Sequence, residues 1–220
     1  YKGGAINNPA GSTINIENYV FQNNKTTAYF SHTIDSNIYA NLAGGAIYNE
    51  GEISKITSDF IGNSISATTS SSRVYSDTFG GAIYNNGNIG DITGDFIGNT
   101  ASDNGGAIYN NSNIGNITGD FIGNTAKYGN GGAIYNDGTI GNITGNFISN
   151  KGNAIYNHYR STIGNITGDF ISNEDGAIYN YDYSTIGNIT GNFISNKGRA
   201  IYNDGTIDNI TGNFISNKGN

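Results

Sequence analysis

The sequence predicts an all-β fold, a right-handed parallel β-helix of about eight three-stranded coils. Three observations predict it: a tandem repeat of about 23 residues, apolar segments of only about three to five residues, and Gly, Asn or Asp between them. Helices would need a longer apolar period, and the 34 Gly residues among 220 oppose them. Repeats of this kind bury a continuous core when they stack as a solenoid.

The first element of each repeat is the segment Ala-Ile-Tyr-Asn, which we call the anchor. The spacing between successive anchors falls from 41 and 36 residues to between 21 and 26 residues. Because strand side chains alternate between two faces, we expect the anchor Ile to point inward and the Tyr outward. Anchors begin at Ala46, Ala82, Ala107, Ala133, Ala154, Ala177 and Ala200, and the variant Gly4-Ala5-Ile6-Asn7 lies near the start of the chain.

Two further segments follow each anchor. One reads Ile-x-x-Ile-Thr, as in Ile89–Thr93, and the other reads Phe-x-x-Asn, as in Phe96–Asn99. We expect their Ile and Phe side chains to point inward. Asn residues such as Asn124 and Asn150 should lie at corners, where their amides can satisfy backbone groups and each other. The middle segment of the first coil, around Ile14, is irregular.

The repeat covers the whole chain, so residues 1–220 are predicted to form a single β-helix domain. Insertions at 25–43 and 64–79 leave from the same corner in adjacent coils. Either these long segments carry a function, or they pack together and shield one side of the helix. The chain opens inside a repeat and stops without an evident cap, so we expect it to be a fragment of a longer chain.

Composition narrows the classes of partner. With a net charge of −7 and no basic stripe, a nucleic-acid partner is not expected. Cys is absent, so neither a disulfide framework nor a thiolate metal site is possible. No apolar run approaches the length of a membrane span, which predicts no membrane insertion by this segment. No cofactor is expected.

The anchor tyrosines form the first candidate binding surface. Stacked outward aromatics offer a large contact area for a glycan or a protein, or they form a cross-strand ladder that only stabilises the sheet. The candidate binding residues of this column are Tyr84, Tyr109, Tyr135, Tyr156 and Tyr179, with Tyr48 and Tyr202 in the same column.

Two enlarged turns form the second candidate surface. Coils 6 and 7 carry His158-Tyr159-Arg160-Ser161 and Tyr181-Asp182-Tyr183-Ser184 where other coils have a tight turn such as Asp137-Gly138. These turns should be neighbours, and aromatics with an Arg are enriched at interfaces. A solvated pair of loops is the alternative. The candidate binding residues here are His158, Tyr159, Arg160, Tyr181 and Tyr183.

Asp59, Asp95 and Asp120 occupy one position in three adjacent coils. Three carboxylates are candidate ligands for Ca²⁺, or they could imitate the acid pairs of polysaccharide hydrolases. Alternatively they are solvated residues, since later coils carry Asn at the same position, as at Asn146. Two His and three Arg residues leave few partners for catalysis, so we expect no enzymatic activity.

Gly-Gly-Ala-Ile followed by Phe-x-x-Asn, both in tandem, resembles the passenger repeats of chlamydial-type polymorphic outer membrane proteins. More broadly, the pattern is similar to the β-helical passengers of bacterial autotransporter adhesins. The resemblance implies an extracellular or outer cell-surface location and adhesion to a host or neighbouring-cell protein or glycan. It transfers no catalytic residue. Full matches to the first motif are Gly44–Ile47, Gly80–Ile83, Gly105–Ile108 and Gly131–Ile134.

The leading functional expectation is therefore a structural and adhesive stalk that displays loops and aromatic ladders. One alternative is a self-assembling fibre subunit, because the open edges of a β-helix can pair end to end with another copy. The other alternative is a polysaccharide-active enzyme using the Asp column.

Overall fold

A computed structural model describes residues 2–30, 38–69 and 74–219, and these residues form strands and turns without a helix. Within that part of the chain, no helix offers the length and hydropathy needed to cross a membrane. The strands wind into eight coils whose equivalent segments pair in parallel, which confirms the predicted parallel β-helix.

The anchor strands form an eight-stranded parallel sheet, one strand from each coil. Their register follows the repeat, so that Ile83 pairs with Ile108 and Tyr84 with Tyr109. The bounds are Ile6–Asn8, Ile47–Asn49, Ile83–Asn85, Ile108–Asn110, Ile134–Asn136, Ile155–Asn157, Gly176–Asn180 and Arg199–Asn203.

The middle segments stack beside them. Both Ile residues of Ile-x-x-Ile are buried, as at Ile114 and Ile117, although residues three apart on a regular strand face opposite sides. The chain bends between them, and in coils 4 to 6 the bend divides the segment into two short strands. The bounds are Thr13–Gln22, Glu52–Ile61, Asn88–Thr93, Asn113–Ile114, Ile117–Thr118, Thr139–Ile140, Ile143–Thr144, Thr162–Ile163, Ile166–Thr167, Thr185–Thr190 and Thr206–Thr211.

The phenylalanine segments close each coil, and in coils 1 and 2 they continue the middle strand. Their rings stack inside the helix, with 4.8 Å between the ring centroids of Phe96 and Phe121 and 2° between the ring planes. Together with the Ile columns they form the continuous core, as predicted. The separate strands are Phe96–Ile97, Phe121–Ile122, Phe147–Ile148, Phe170–Ile171, Phe193–Ile194 and Phe214–Ile215.

The anchor Ala is also part of this core, which alternation alone does not predict. Ala107 and Ile108 are both fully buried although they are adjacent. The strand begins only at Ile108, so Ala107 lies at the corner, where the chain is turning inward.

The two insertions are stacked arms. Lys25 pairs with Ser64 and Ile38 with Val74, so the second arm repeats the path of the first one coil further along. Residues 31–37 and 70–73 of the insertions lie outside the described residues. A small second core contains Ala28, Leu42, Ile65 and Ala101. The strands are Lys25–Phe30, Ile38–Ala43, Ser64–Thr69 and Val74–Phe79, continued by Thr100–Ala101 and Thr125–Ala126.

The first coil is irregular, as its sequence indicates. Its long strand Thr13–Gln22 pairs with Glu52–Ile61 through two register shifts, one after Ile14 and one after Glu17. Asn18, next to the second shift, has a φ of 61°, a conformation that Asn tolerates better than most residues.

Candidate functional site

Two buried columns of asparagine run the length of the helix and hold the corners. In the first, the Nδ2 of each anchor Asn donates to the Oδ1 of the next, as from Asn110 to Asn136 at 2.9 Å. In the second, the Oδ1 of Asn150 accepts from both the backbone N–H and the Nδ2 of Asn124. The predicted corner role is confirmed, because these columns satisfy the buried amides at the corners.

The candidate carboxylates lie in a third, partly exposed column of the same kind. The Oδ1 of Asp59 accepts from the backbone N–H of Asp95 at 2.9 Å, and the Oδ1 of Asp95 accepts from that of Asp120 at 2.8 Å. Oδ1 of Asp120 accepts from both nitrogens of Asn146. Asp and Asn both supply the oxygen that accepts this backbone N–H, and Asn146 and Asn192 add an Nδ2 donor. Among the described residues, no three His, Asp or Glu side chains converge on a point where they could hold a metal.

The anchor tyrosines stack outside the core, but other side chains cover much of the column. The ring of Phe79, from the second arm, lies 4.8 Å from that of Tyr109 and 6.2 Å from that of Tyr84. Tyr48 and Tyr135 are buried, and the other anchor tyrosines are half-buried. The second arm therefore covers part of the column through Phe79, and the tyrosines form a stacked ladder.

Burial changes the chemistry of these phenols. It raises the pKa of Tyr135 strongly, and neighbouring Tyr109 adds to the effect. Burial likewise raises the pKa of Tyr156 to about 12. A phenolate in the column would be poorly hydrated and would lie beside other tyrosines that can also ionise. The phenols therefore stay neutral at ordinary pH.

The enlarged turns supply the cover for the second half of the column. The rings of His158 and Tyr181 stack in parallel, with 5.8 Å between centroids, and His158 also contacts Tyr135 and Tyr156. The Nδ1 of His158 lies 2.8 Å from the Oδ1 of Asp137 in the preceding coil. Two of the predicted site residues, His158 and Tyr181, thus act partly as supports.

The other predicted turn residues lie together on the outer surface. The rings of Tyr159 and Tyr183 meet edge to face at 5.7 Å. The Arg160 guanidinium stacks over the Tyr159 ring at 4.9 Å. Tyr159 is 38% exposed and Tyr183 is 70% exposed. We call Tyr159, Arg160, Asp182 and Tyr183 the turn patch.

The backbone of the turn patch is unusual. Arg160 has a φ of 59° and Tyr183 a φ of 57°, at equivalent positions of the two turns. All other positive-φ residues in the described part of the chain are Gly, Asn or Ser. Left-handed backbone is disfavoured for large side chains, and the equivalent position of the four-residue turn in coil 1 is Gly11, with a φ of 81°.

Another grouping that sequence reasoning missed lies at the first coils. The Oη of Tyr48 donates to the Oε1 of Glu50 at 2.6 Å, and the Nζ of Lys2 lies 3.0 Å from the same oxygen. These hydrogen bonds, the one from Tyr48 being the stronger influence, lower the pKa of Glu50. The Lys2 ammonium also stacks over the Tyr48 ring, so the group covers the first end of the tyrosine column.

The fold defines the chain as a β-helical solenoid whose irregular features include the first coil, two arms and one turn patch. Comparison of the chain with protein-family models, curated proteins and solved structures gave no match.

Proposed function

We propose that this chain is a non-catalytic β-helical stalk of the extracellular space or outer cell surface, and that it adheres to a partner surface through its enlarged turns. The rod supplies stiffness, because every coil is paired with its neighbours and its buried amides are bonded in columns. The stalk holds the turn patch away from the surface that carries it.

One observation carries the proposal: the anchor asparagine column makes the same hydrogen bonds with an enlarged turn as with a tight one. In coil 5 the Nδ2 of Asn136 donates to the carbonyl of Gly138, and in coil 6 the Nδ2 of Asn157 donates to that of Ser161. Thr139 and Thr162, the first strand residues after the turn in coils 5 and 6, remain paired although the two turns differ in length.

His158 and Tyr181 also cover the tyrosine column. Since the asparagine column tolerates the short turn, we assign the side chains of Tyr159, Arg160 and Tyr183, in the turn patch, to the partner surface.

A turn exchange tests the proposal. Residues 158–161 and 181–184 are each replaced by Asp-Gly, the turn of coils 5 and 8. Latex beads coated with the wild-type chain or the exchanged chain are then washed over cultured epithelial cells and over bacterial cells. We expect the wild-type beads to be retained and the exchanged beads to be retained no better than uncoated ones.

The matched control replaces Asn111-Ser112 by Asp-Gly at the same corner of coil 4. It should keep wild-type retention, and all three proteins should keep the same circular dichroism spectrum. Equal retention of wild-type and exchanged beads would contradict adhesion through the turns.

End-to-end self-assembly is a second candidate function. Phe214 and Ile215 of the last coil are 54% and 49% exposed. At the opposite end, Ile14 and Phe21 line an open apolar hollow. Light scattering across a hundredfold range of concentration tests this candidate. A mass that grows with concentration supports it, and a constant monomer mass rejects it.

A further inference from the structure

We propose that the turn patch binds a sugar residue that carries a carboxylate. This inference rests on the proposed function, because it assigns a ligand class to the same turns. Three features of the patch lead to it: an exposed aromatic ring, a guanidinium that makes no ion pair within the described residues, and left-handed backbone at both positions.

The exposed ring belongs to Tyr183. Most of its surface faces solvent, while its contact with Tyr159 fixes its position. An aromatic ring with a polar tip offers an apolar face to the C–H groups of a pyranose and a hydroxyl to its oxygens. A sugar residue has both kinds of surface, whereas an aliphatic ligand would leave the polar groups of the patch unpaired.

The guanidinium of Arg160 supplies the preference for an acid. Within the described residues, no carboxylate lies within ion-pair distance of it. Its Cζ lies 4.9 Å from the centroid of the Tyr159 ring, and the planar guanidinium carries N–H groups along its edge. That edge matches a carboxylate with two parallel hydrogen bonds.

Asp182 completes the polar surroundings. Its backbone carbonyl accepts from the N–H of Arg160 at 3.4 Å, so the two turns are joined at this point. Its carboxylate is an acceptor suited to sugar hydroxyls. Two four-residue turns are much smaller than the roughly 800 Å² that a stable protein partner buries on each side, so the patch fits a small residue better than a protein surface.

The backbone at the turn patch is strained at two equivalent positions. Arg160 and Tyr183 both occupy the left-handed region, where Gly or Asn would be more stable. Strain of this kind is typical of functional sites, so it adds to the case for a ligand at the patch.

Calorimetric titration with a hyaluronan hexasaccharide tests the proposal, and the methyl ester of the same oligosaccharide provides a ligand without the charge. We expect the wild-type chain to bind the acid about tenfold more tightly than the ester, as a charge-assisted pair of hydrogen bonds would give. Arg160→Gln should abolish that difference. Tyr183→Asn should weaken binding of both forms about tenfold.

Tyr128→Asn is the matched control. Tyr128 is 75% exposed and carries a cation, Lys127, 4.7 Å from its ring centroid, but it lies on another loop. This variant should bind as the wild type does. Because Asn favours the left-handed region, Tyr183→Asn should not lower the Tm by more than about 2 °C.

The proposal is overturned if the wild-type chain binds neither form or binds both equally, if either turn variant keeps wild-type binding, or if Tyr183→Asn lowers the Tm further than stated. If turn exchange abolishes the retention of the beads but the oligosaccharides do not bind, the sugar-acid proposal is rejected. Adhesion through the turns is then still supported.

Discussion

Asn124 and Asn150 lie one above the other in adjacent coils, and one side-chain oxygen of Asn150 satisfies two donors of Asn124. The backbone N–H of Asn124 donates to the Oδ1 of Asn150 at 2.9 Å, and the Nδ2 of Asn124 donates to it at 3.1 Å. The Nδ2 of Asn150 in turn donates to Asn173 and to the carbonyl of Phe121. Each Asn therefore requires both an acceptor and a donor, at a fully buried corner.

Asn150→Asp should be strongly destabilising for this reason. The carboxylate keeps the acceptor but loses both Nδ2 donors, and it places a charge where water does not reach. We expect a loss of about 3 kcal/mol or more in the free energy of unfolding, measured by urea denaturation. In the same coil, Asn146→Asp is the control, because Asp120 and Asp169 already occupy that column. It should cost less than about 0.5 kcal/mol, and equal losses at both sites would contradict the donor requirement.

Glycines at two positions of the repeat should respond differently to the same change. Gly119 has a φ of 152°, and an added Cβ would lie 2.0 Å from the carbonyl oxygen of Gly94. Gly119→Ser should therefore force the coils apart and lower the Tm by several degrees or prevent folding. Gly123→Ser should be tolerated, because its Cβ would meet nothing within 4 Å and Ser149 occupies the equivalent position with a φ of 54°. Thermal melts of both variants check this, and similar Tm values would refute the steric explanation.

Removing one ring from the phenylalanine stack should lower the free energy of unfolding. Phe147 is fully buried between Phe121 and Phe170, with 4.9 Å and 4.8 Å between ring centroids. Phe147→Ala should cost about 3–5 kcal/mol, the usual loss for a buried ring. The outward neighbour gives the comparison, since Ile148→Ala removes a half-buried side chain and should cost about 1 kcal/mol. Urea denaturation of both variants measures the two losses in the free energy of unfolding. Equal losses would contradict the special contribution of the stacked rings.

The columns of stacked Phe, Ile, Tyr and Asn side chains could be predicted from the sequence, because each residue type recurs at the same position of the repeat. Residues at the same position in successive coils are neighbours, so Phe96 and Phe121 are predicted to stack once the period is known. Alternation then places the anchor Ile inside, whereas the burial of both Ile residues of the middle segment depends on the bend between them. The burial of Ala107 could not be predicted in this way, because it depends on where the corner ends and the strand begins.

The candidate site was predictable only in part. The enlarged turns and the arms appear as departures from the period, and the turns do lie side by side. The cover over the tyrosine column depends on contacts between different segments, such as that between Phe79 and Tyr109, which no spacing encodes. The left-handed backbone of Arg160 was not predicted either, since large side chains normally indicate ordinary backbone, although Gly11 at the equivalent position of coil 1 is a signal for it.

The tyrosine column predicts a loss of stability in alkali. Burial raises the pKa of Tyr156 to about 12 in the folded chain, against about 10 for an unfolded tyrosine. As the pH rises past 10, the unfolded state loses the proton first, so the contribution to stability is full below pH 10 and is lost as the pH rises towards 12. We expect phenolate absorbance to appear together with the loss of β circular dichroism in that window. Tyr156→Phe removes one of the phenol groups that ionise in this window. After the free energy of unfolding of each protein is expressed relative to its own value at pH 7, the variant should unfold at a higher pH than the wild-type chain. Phenolate formation by Tyr156 with the β signal intact would show that the column is open to solvent.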